Sequence, residues 1–364
     1  MARVDTSRLI RAHLADFQTY EPVDPPEVLA RRAGIPEKEI IKLNGNENPY
    51  GPSPKAVEAV AKAPLHVYPD PLQRRVRQSL AEYTGMGPQH IIAGSGSDEL
   101  IDLLFRLFID PGDTILDFEP TFAMYAFCAR VCGGNVVMVQ RDELFDIDVD
   151  AVRGAIGERT KILFVSSPNN PTGNLVSESQ VRELLETGLM VVVDEAYYEF
   201  CDQTVAHMVP QHENLVVLRT MSKWAGLAGL RIGYGIMSPV LVDHILDIKS
   251  PYNVNVAAEA ALLASLEDAP ALMANVGKIV AERERLHQAL EALPAVTPWP
   301  SEGNFILCQF AEPAEAKRAY GELARRGIFV RSFGSERLRD SFRVAVGTAY
   351  QTDAFIAALR EILK

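Results

Sequence analysis

The stretch TMSKWAGLAGLRIGY, residues 220–234, holds one lysine, Lys223, among hydroxyls, glycines and apolar residues, with Arg231 eight positions further on. An ammonium in such surroundings is costly unless its charge is removed or paired. Desolvation and a neighbouring cation both favour the neutral amine, which is the nucleophilic form. Thr220 and Ser222 add hydroxyls, and Arg231 offers a guanidinium able to grip an oxyanion in two places. A second anion-binding feature is GSGSDE, residues 94–99, a glycine-rich turn running into a helix whose first N–H groups face one point. It is not a dinucleotide fingerprint, because Glu99 stands where G-x-G-x-x-G needs its last glycine. Four more groups close strand-like runs: Asp194 and Tyr197 in LMVVVDEAY, Asn170 in SSPNNPTG and Phe122 in EPTF. Singly, each has a bland explanation as a cap, a packed ring or a turn residue.

Their common feature is the element that precedes each. Short apolar runs occur at 90–94, 114–118, 135–140, 161–166, 189–195, 214–220 and 231–237, mostly separated by helix-like segments such as DELIDLLFRLFI and SESQVRELLET. Continuous apolar strands joined by helices predict an α/β fold with a mainly parallel seven-stranded sheet covered on both faces. Sites in such sheets collect beyond the carboxyl ends of the strands, where these polar residues lie. After Pro251 the texture changes to long helical stretches and then to GNFILCQF, GIFVRSF and SFRVAVG, which predict a smaller α+β domain. The expected division is a large domain over 41–250 and a small one made of 1–40 together with 251–364, with the Pro-rich N-terminal arm packed against the second.

Composition narrows the partners. The chain has 364 residues and a formal net charge of −12, which argues against nucleic acid or an anionic membrane. No run approaches the roughly 20 apolar residues needed to span a bilayer. The first residues, MARVDTSRLIRAHLADF, lack the apolar block of a secretory signal, so a cytoplasmic location is expected. Four scattered cysteines suggest neither a disulfide framework nor a zinc site, and no metal is expected.

NNPTG, DEAYYEF, TMSKWAGLAGLRIGY and SFRVAVG, in this order and spacing, resemble the fold-type-I pyridoxal-phosphate aminotransferases. LNGNENPYGPSP (43–54), YPD (68–70), GSGSDEL, PYNVN (251–255) and GIFVRSF (327–333) are similar to the histidinol-phosphate aminotransferase branch. Aromatic amino-acid aminotransferases and threonine-phosphate decarboxylases share much of the pattern. The resemblance runs from about Tyr20 to the end of the chain. A nicotinamide dehydrogenase is disfavoured by the incomplete fingerprint, and a non-catalytic cofactor-binding regulator by the lack of a basic DNA-binding segment.

The resemblance implies a role for each residue. Lys223 would form a Schiff base with the cofactor aldehyde and later move the substrate proton, with Arg231 supplying the field that keeps its amine neutral. Asp194 would hold the protonated ring nitrogen, Tyr197 and Asn170 the ring hydroxyl oxygen, and Phe122 the ring face. Gly96, Ser97 and Asp98 through their backbone, with Thr220, Ser222 and Arg231, would hold the phosphate. Tyr20, Asn46, Arg331 and Arg343 would meet the substrate. Tyr68 would reach the neighbouring subunit of a homodimer. The implied reaction is transfer of the amino group of L-histidinol phosphate to 2-oxoglutarate, with phenylalanine or tyrosine as the alternative donors.

Overall fold

The computed structural model describes residues 5–15, 17 and 19–364. The described residues hold thirteen strands: β1 (Ile41–Lys42), β2 (Ile91–Gly94), β3 (Thr114–Glu119), β4 (Asn135–Gln140), β5 (Thr160–Ser166), β6 (Met190–Asp194), β7 (Leu215–Thr220), β8 (Gly233–Ile236), β9 (Val296–Pro298), β10 (Phe305–Phe310), β11 (Ile328–Phe329), β12 (Arg331–Ser332) and β13 (Ser341–Ala345). Strands β2 to β8 form one seven-stranded sheet in the order β2-β8-β7-β6-β5-β3-β4. The five from β7 to β4 are parallel neighbours. Strand β8 is antiparallel to both β7 and β2. Two reversals leave β2 pointing the same way as β7, so its carboxyl end joins the same rim. The expected mainly parallel sheet is borne out.

Alternation along the strands explains why the sheet is covered twice. Ile162 and Phe164 face one apolar cluster, while Leu163 and Val165 face the other. Val192 is likewise opposed to Val191 and Val193, and Val216 and Leu218 to Leu215 and Val217. A period of two with both phases apolar is what a sheet between two helical layers requires. One layer includes helix Ser97–Phe108, whose Leu100, Ile101, Leu104 and Phe105 are buried against the sheet.

Past residue 250 come helices Val256–Glu267 and Ala269–Glu291 and a four-stranded sheet ordered β12-β13-β10-β9, all antiparallel. GIFVRSF is not one strand. It divides into β11, which pairs with β1 in parallel, and β12, which pairs with β13. The arm divides between the two regions. A ring nitrogen of His13 lies 3.2 Å from the carbonyl of Val131, and Phe17 packs edge-on to Phe127 at 5.3 Å. The first part of the arm therefore rests on helix Met124–Val131, beside the large sheet, where an apolar ring is available for Phe17. Only from Glu21 onward does it meet the second sheet region, through Arg331 and the β1–β11 pair.

Candidate active site

The carboxyl ends of β5, β6 and β7, and the segments that follow β2 and β3, open on a cavity of about 320 Å3. From β6 comes Asp194, from the end of β7 comes Thr220, and from the turn after it come Ser222 and Lys223. The turn after β5 brings Asn170, and the one after β3 brings Phe122. Ser97 and Asp98 open the helix that follows β2. Tyr20, Asn46, Tyr197, Arg231, Arg331 and Arg343 complete the expected set on the wall. Gly96 lies just beneath, and Tyr68 is exposed on the surface, stacked on Tyr252 at 4.4 Å.

Lys223 is half-buried, and its Nζ donates to the carbonyl of Gly45 at 3.2 Å. Burial lowers its pKa to about 8, and Arg343 contributes more to that shift than Arg231. This corrects the expectation that Arg231 supplies the field. The reason is that Arg231 spends its charge locally, its Nη2 lying 2.6 Å from Oδ2 of Asp98. Asp98, expected to act only through its backbone, therefore also holds the guanidinium with its carboxylate.

Asp194 is buried, and its carboxylate accepts from the hydroxyl of Tyr125 at 2.7 Å and from the Ala196 N–H at 3.0 Å. Burial raises its pKa to about 6, with those two donors working in the opposite direction. No lysine or arginine forms an ion pair with it among the described residues. A buried carboxylate with neutral donors on the protein side suits a cationic N–H on the cavity side. Next to it, Tyr197 receives a hydrogen bond from Asn46 Nδ2 at 3.0 Å. Asn46, at φ 52°, and Arg231, at φ 54°, hold left-handed backbone conformations that non-glycine residues rarely adopt.

The anion cup is built from local turns. The Thr220 hydroxyl donates to Ser222 Oγ at 2.9 Å, and the Ser222 N–H donates back to Thr220 Oγ1 at 3.1 Å. Gly96 caps the helix at φ 79° with no side chain over its first N–H groups. A Cβ there would lie 2.6 Å from Arg231 Nη2, so glycine is required for the guanidinium to close over the helix end. Free helix N–H groups, two hydroxyls and an arginine are the donor set of a phosphate site. Cavity, lysine, carboxylate and cup thus fit pyridoxal phosphate.

Arg343, on β13, is buried, and its guanidinium donates to the carbonyl of Asn44 at 2.8 Å and to Oδ1 of Asn170. Burial lowers its pKa to about 10. Arg331 donates to the carbonyl of Glu21 at 2.8 Å. Neither forms an ion pair with a carboxylate among the described residues, so both charges remain available to an anion.

The sequence reading missed the groups behind the site. Tyr125, in TFAMYAF, looks like one more core ring, and only its hydroxyl separates it from Phe127. Glu195 and Arg219 form a buried ion pair at 2.9 Å, and the guanidinium lies 3.6 Å from the centre of the Tyr198 ring. These residues directly follow Asp194 and precede Thr220, so the pair ties the two catalytic strand ends together. Trp224, beside Lys223, stacks on Tyr83 at 5.4 Å.

Residues 38–359 match the family described as aminotransferase class I and II. The chain belongs to the class I and II aminotransferases. It is 47% identical over 363 residues to a histidinol-phosphate aminotransferase of Roseiflexus castenholzii, with 97% of this chain and 98% of the relative covered. It is 43% identical over 356 residues to one from Dehalococcoides mccartyi, covering 98% of each. Among solved structures, the histidinol-phosphate aminotransferase of Sinorhizobium meliloti in complex with pyridoxal-5′-phosphate superposes with a TM-score of 0.89 at 25% identity, over 97% of both chains. In a class I and II aminotransferase, the fold-type-I sheet carries these polar strand ends on one rim.

Proposed function

We propose that the protein uses pyridoxal phosphate to transfer the amino group of L-histidinol phosphate to 2-oxoglutarate, giving imidazole-acetol phosphate and glutamate in histidine biosynthesis. The observation that carries the donor assignment is the pair Arg331 and Arg343 on one cavity wall, with Tyr20 beside them. A carboxylate needs one bidentate guanidinium, whereas a phosphate monoester carries close to two charges and uses two. The names of the relatives in Roseiflexus castenholzii and Dehalococcoides mccartyi support the same donor.

Pyridoxal phosphate, when bound, supplies an aldehyde that exchanges amines and a ring that accepts the electron pair of the substrate Cα–H bond. The chain does the rest. Ser97, Ser222, Arg231 and the helix N–H groups hold the phosphate, and Gly96 leaves them room. Asp194, kept in place by Tyr125, would hold the ring N–H. Tyr197 and Asn170 would hold the ring hydroxyl oxygen, and Phe122 would pack against the ring. Lys223, with an amine that is partly neutral near pH 8, would be the residue that meets the cofactor aldehyde and that takes and returns the substrate Cα proton. Arg343 and Arg331 hold the substrate phosphate, and Tyr20 and Asn46 close that end.

The same proposal includes the division into a large unit over 41–250 and a small one from 1–40 and 251–364. It includes a homodimer, supported by exposed Leu65, Val67, Tyr68, Leu72 and Tyr252, apolar surface of the kind that partners cover. A cytoplasmic location is supported by four free cysteines. No helix among the described residues is long and apolar enough to cross a membrane.

The function is tested by measuring glutamate formation from 2-oxoglutarate with histidinol phosphate and with phenylalanine as donors. A higher kcat/KM for histidinol phosphate is expected. A preference for phenylalanine would assign the enzyme to aromatic amino acids.

A further inference from the structure

Three carboxylates stand on the cavity wall, Asp98, Asp194 and Glu47. Asp98 is spent on Arg231, and Asp194 on Tyr125 and Ala196. Glu47 differs. Its Oε2 is 2.5 Å from Lys42 Nζ, and its Oε1 takes no hydrogen bond from any described residue. The carboxylate also stands beside the reacting end of the cavity. Gly45, whose carbonyl accepts from Lys223, could not bear a Cβ without bringing it within 3.1 Å of Glu47 Oε2.

An acceptor here has no use for an anion. Both anion-binding places, the helix cup and the Arg331–Arg343 pair, lie elsewhere on the wall, and a carboxylate would repel a phosphate. On the reading of the donor as histidinol phosphate, the carbon that bears the amine carries two other substituents: a phosphorylated hydroxymethyl group and an imidazolylmethyl group. The phosphate is taken by the arginines and the amine by the chemistry at Lys223. What remains is the imidazole, with an N–H to donate. We infer that Glu47 accepts a hydrogen bond from the imidazole N–H of the donor, and so distinguishes an imidazole from a phenyl side chain at this site.

The contact discriminates in both directions. An imidazole N–H replaces the water that the carboxylate gives up, whereas a phenyl ring strips that water and returns nothing. Lys42 pairs with one oxygen of the carboxylate and leaves the other open, without itself meeting the substrate, as it is absent from the cavity wall.

The test uses the holoenzyme with both donors. Glu47→Ala should raise the KM for histidinol phosphate about tenfold, with the loss in KM rather than kcat, and should shift the ratio of kcat/KM values toward phenylalanine by about the same factor. Glu47→Gln, of nearly the same shape and still carrying a carbonyl acceptor, should lie between this and the wild type, and it serves if the alanine variant does not fold. Lys42→Met keeps the carboxylate and should keep the preference for the imidazole donor. Equal losses with both donors would mean that Glu47 acts on Lys223 through charge alone and would overturn the inference. So would a Lys42→Met enzyme with the same shifted ratio, since the ion pair would then be structural. A wild-type enzyme inactive on histidinol phosphate would refute the donor assignment instead, before any variant is made.

Discussion

The floor and the rim of the cavity are built differently. The floor consists of Asp194, Ser222 and Lys223, fixed at the ends of buried strands and braced by Tyr125, Trp224 and the Glu195–Arg219 pair. The rim consists of Tyr20, Glu47 and Arg331, drawn from the arm, the loop after β1 and a two-residue strand, and each keeps some exposure to solvent. Groups whose charge must be tuned by burial sit in the floor, and groups that must meet and release a donor sit in the rim. Damage to the floor should therefore slow every donor, and damage to the rim should change which donor is used.

The floor gives the largest effects. Lys223→Ala should reduce turnover by about 10⁴-fold with both donors, because no other lysine lines the cavity among the described residues. Its holoenzyme should also lose the pH-sensitive visible band while retaining cofactor that dialysis removes. Turnover of this variant at a rate near the wild type, with no added amine, would break the comparison at once. Asp194→Ala should cost about a thousandfold, equivalent to about 4 kcal/mol in the barrier, again with both donors. A wild-type rate would reduce Asp194 to a structural cap. Tyr125→Phe removes one hydrogen bond to a buried carboxylate and should cost about tenfold. Because that hydroxyl holds the Asp194 pKa down, the variant should also lose activity at a higher pH on the acid side of its profile. An unchanged profile would place Tyr125 in the packing alone.

Asp194 should also leave a mark on stability. In cofactor-free protein its folded pKa is about 6 against an ordinary value of 3.8. The folded state then binds the proton more tightly than the unfolded chain, so stability falls as pH rises from about 4 to about 6. Asp194→Asn lacks this term. The melting temperature of the variant relative to the wild type should therefore rise across that interval, by up to about 3 kcal/mol in stability. A constant difference across the interval would mean that Asp194 is not held at a raised pKa.

Floor and rim also differ in how far the sequence reveals them. Strand ends such as LMVVVD and NLVVLRT announce themselves, because an apolar run that stops at a polar residue marks both the strand and the rim it reaches. The division of GIFVRSF between two sheets was not legible, since Val330 is buried like Ile328 and Phe329 and the break depends on β1 arriving from far away in sequence. The same holds for the first part of the arm against helix Met124–Val131. Tyr125 was hidden because a buried tyrosine and a buried phenylalanine follow the same pattern, and only the position of Asp194 gives the hydroxyl a purpose. The Arg231–Asp98 pair was misjudged because the sequence shows two charges near one anion site but not which one the guanidinium meets first.

The central claim, that Arg331 on the rim and the buried Arg343 together select a phosphorylated donor, is tested most directly by Arg331→Gln. Steady-state kinetics with 2-oxoglutarate would give kcat/KM for histidinol phosphate and for phenylalanine in the wild type and the variant. Loss of one charge-assisted contact to the phosphate should lower the first value by about thirtyfold, mostly through KM, while phenylalanine, which needs only Arg343 for its carboxylate, loses far less. Equal losses for the two donors would contradict the claim.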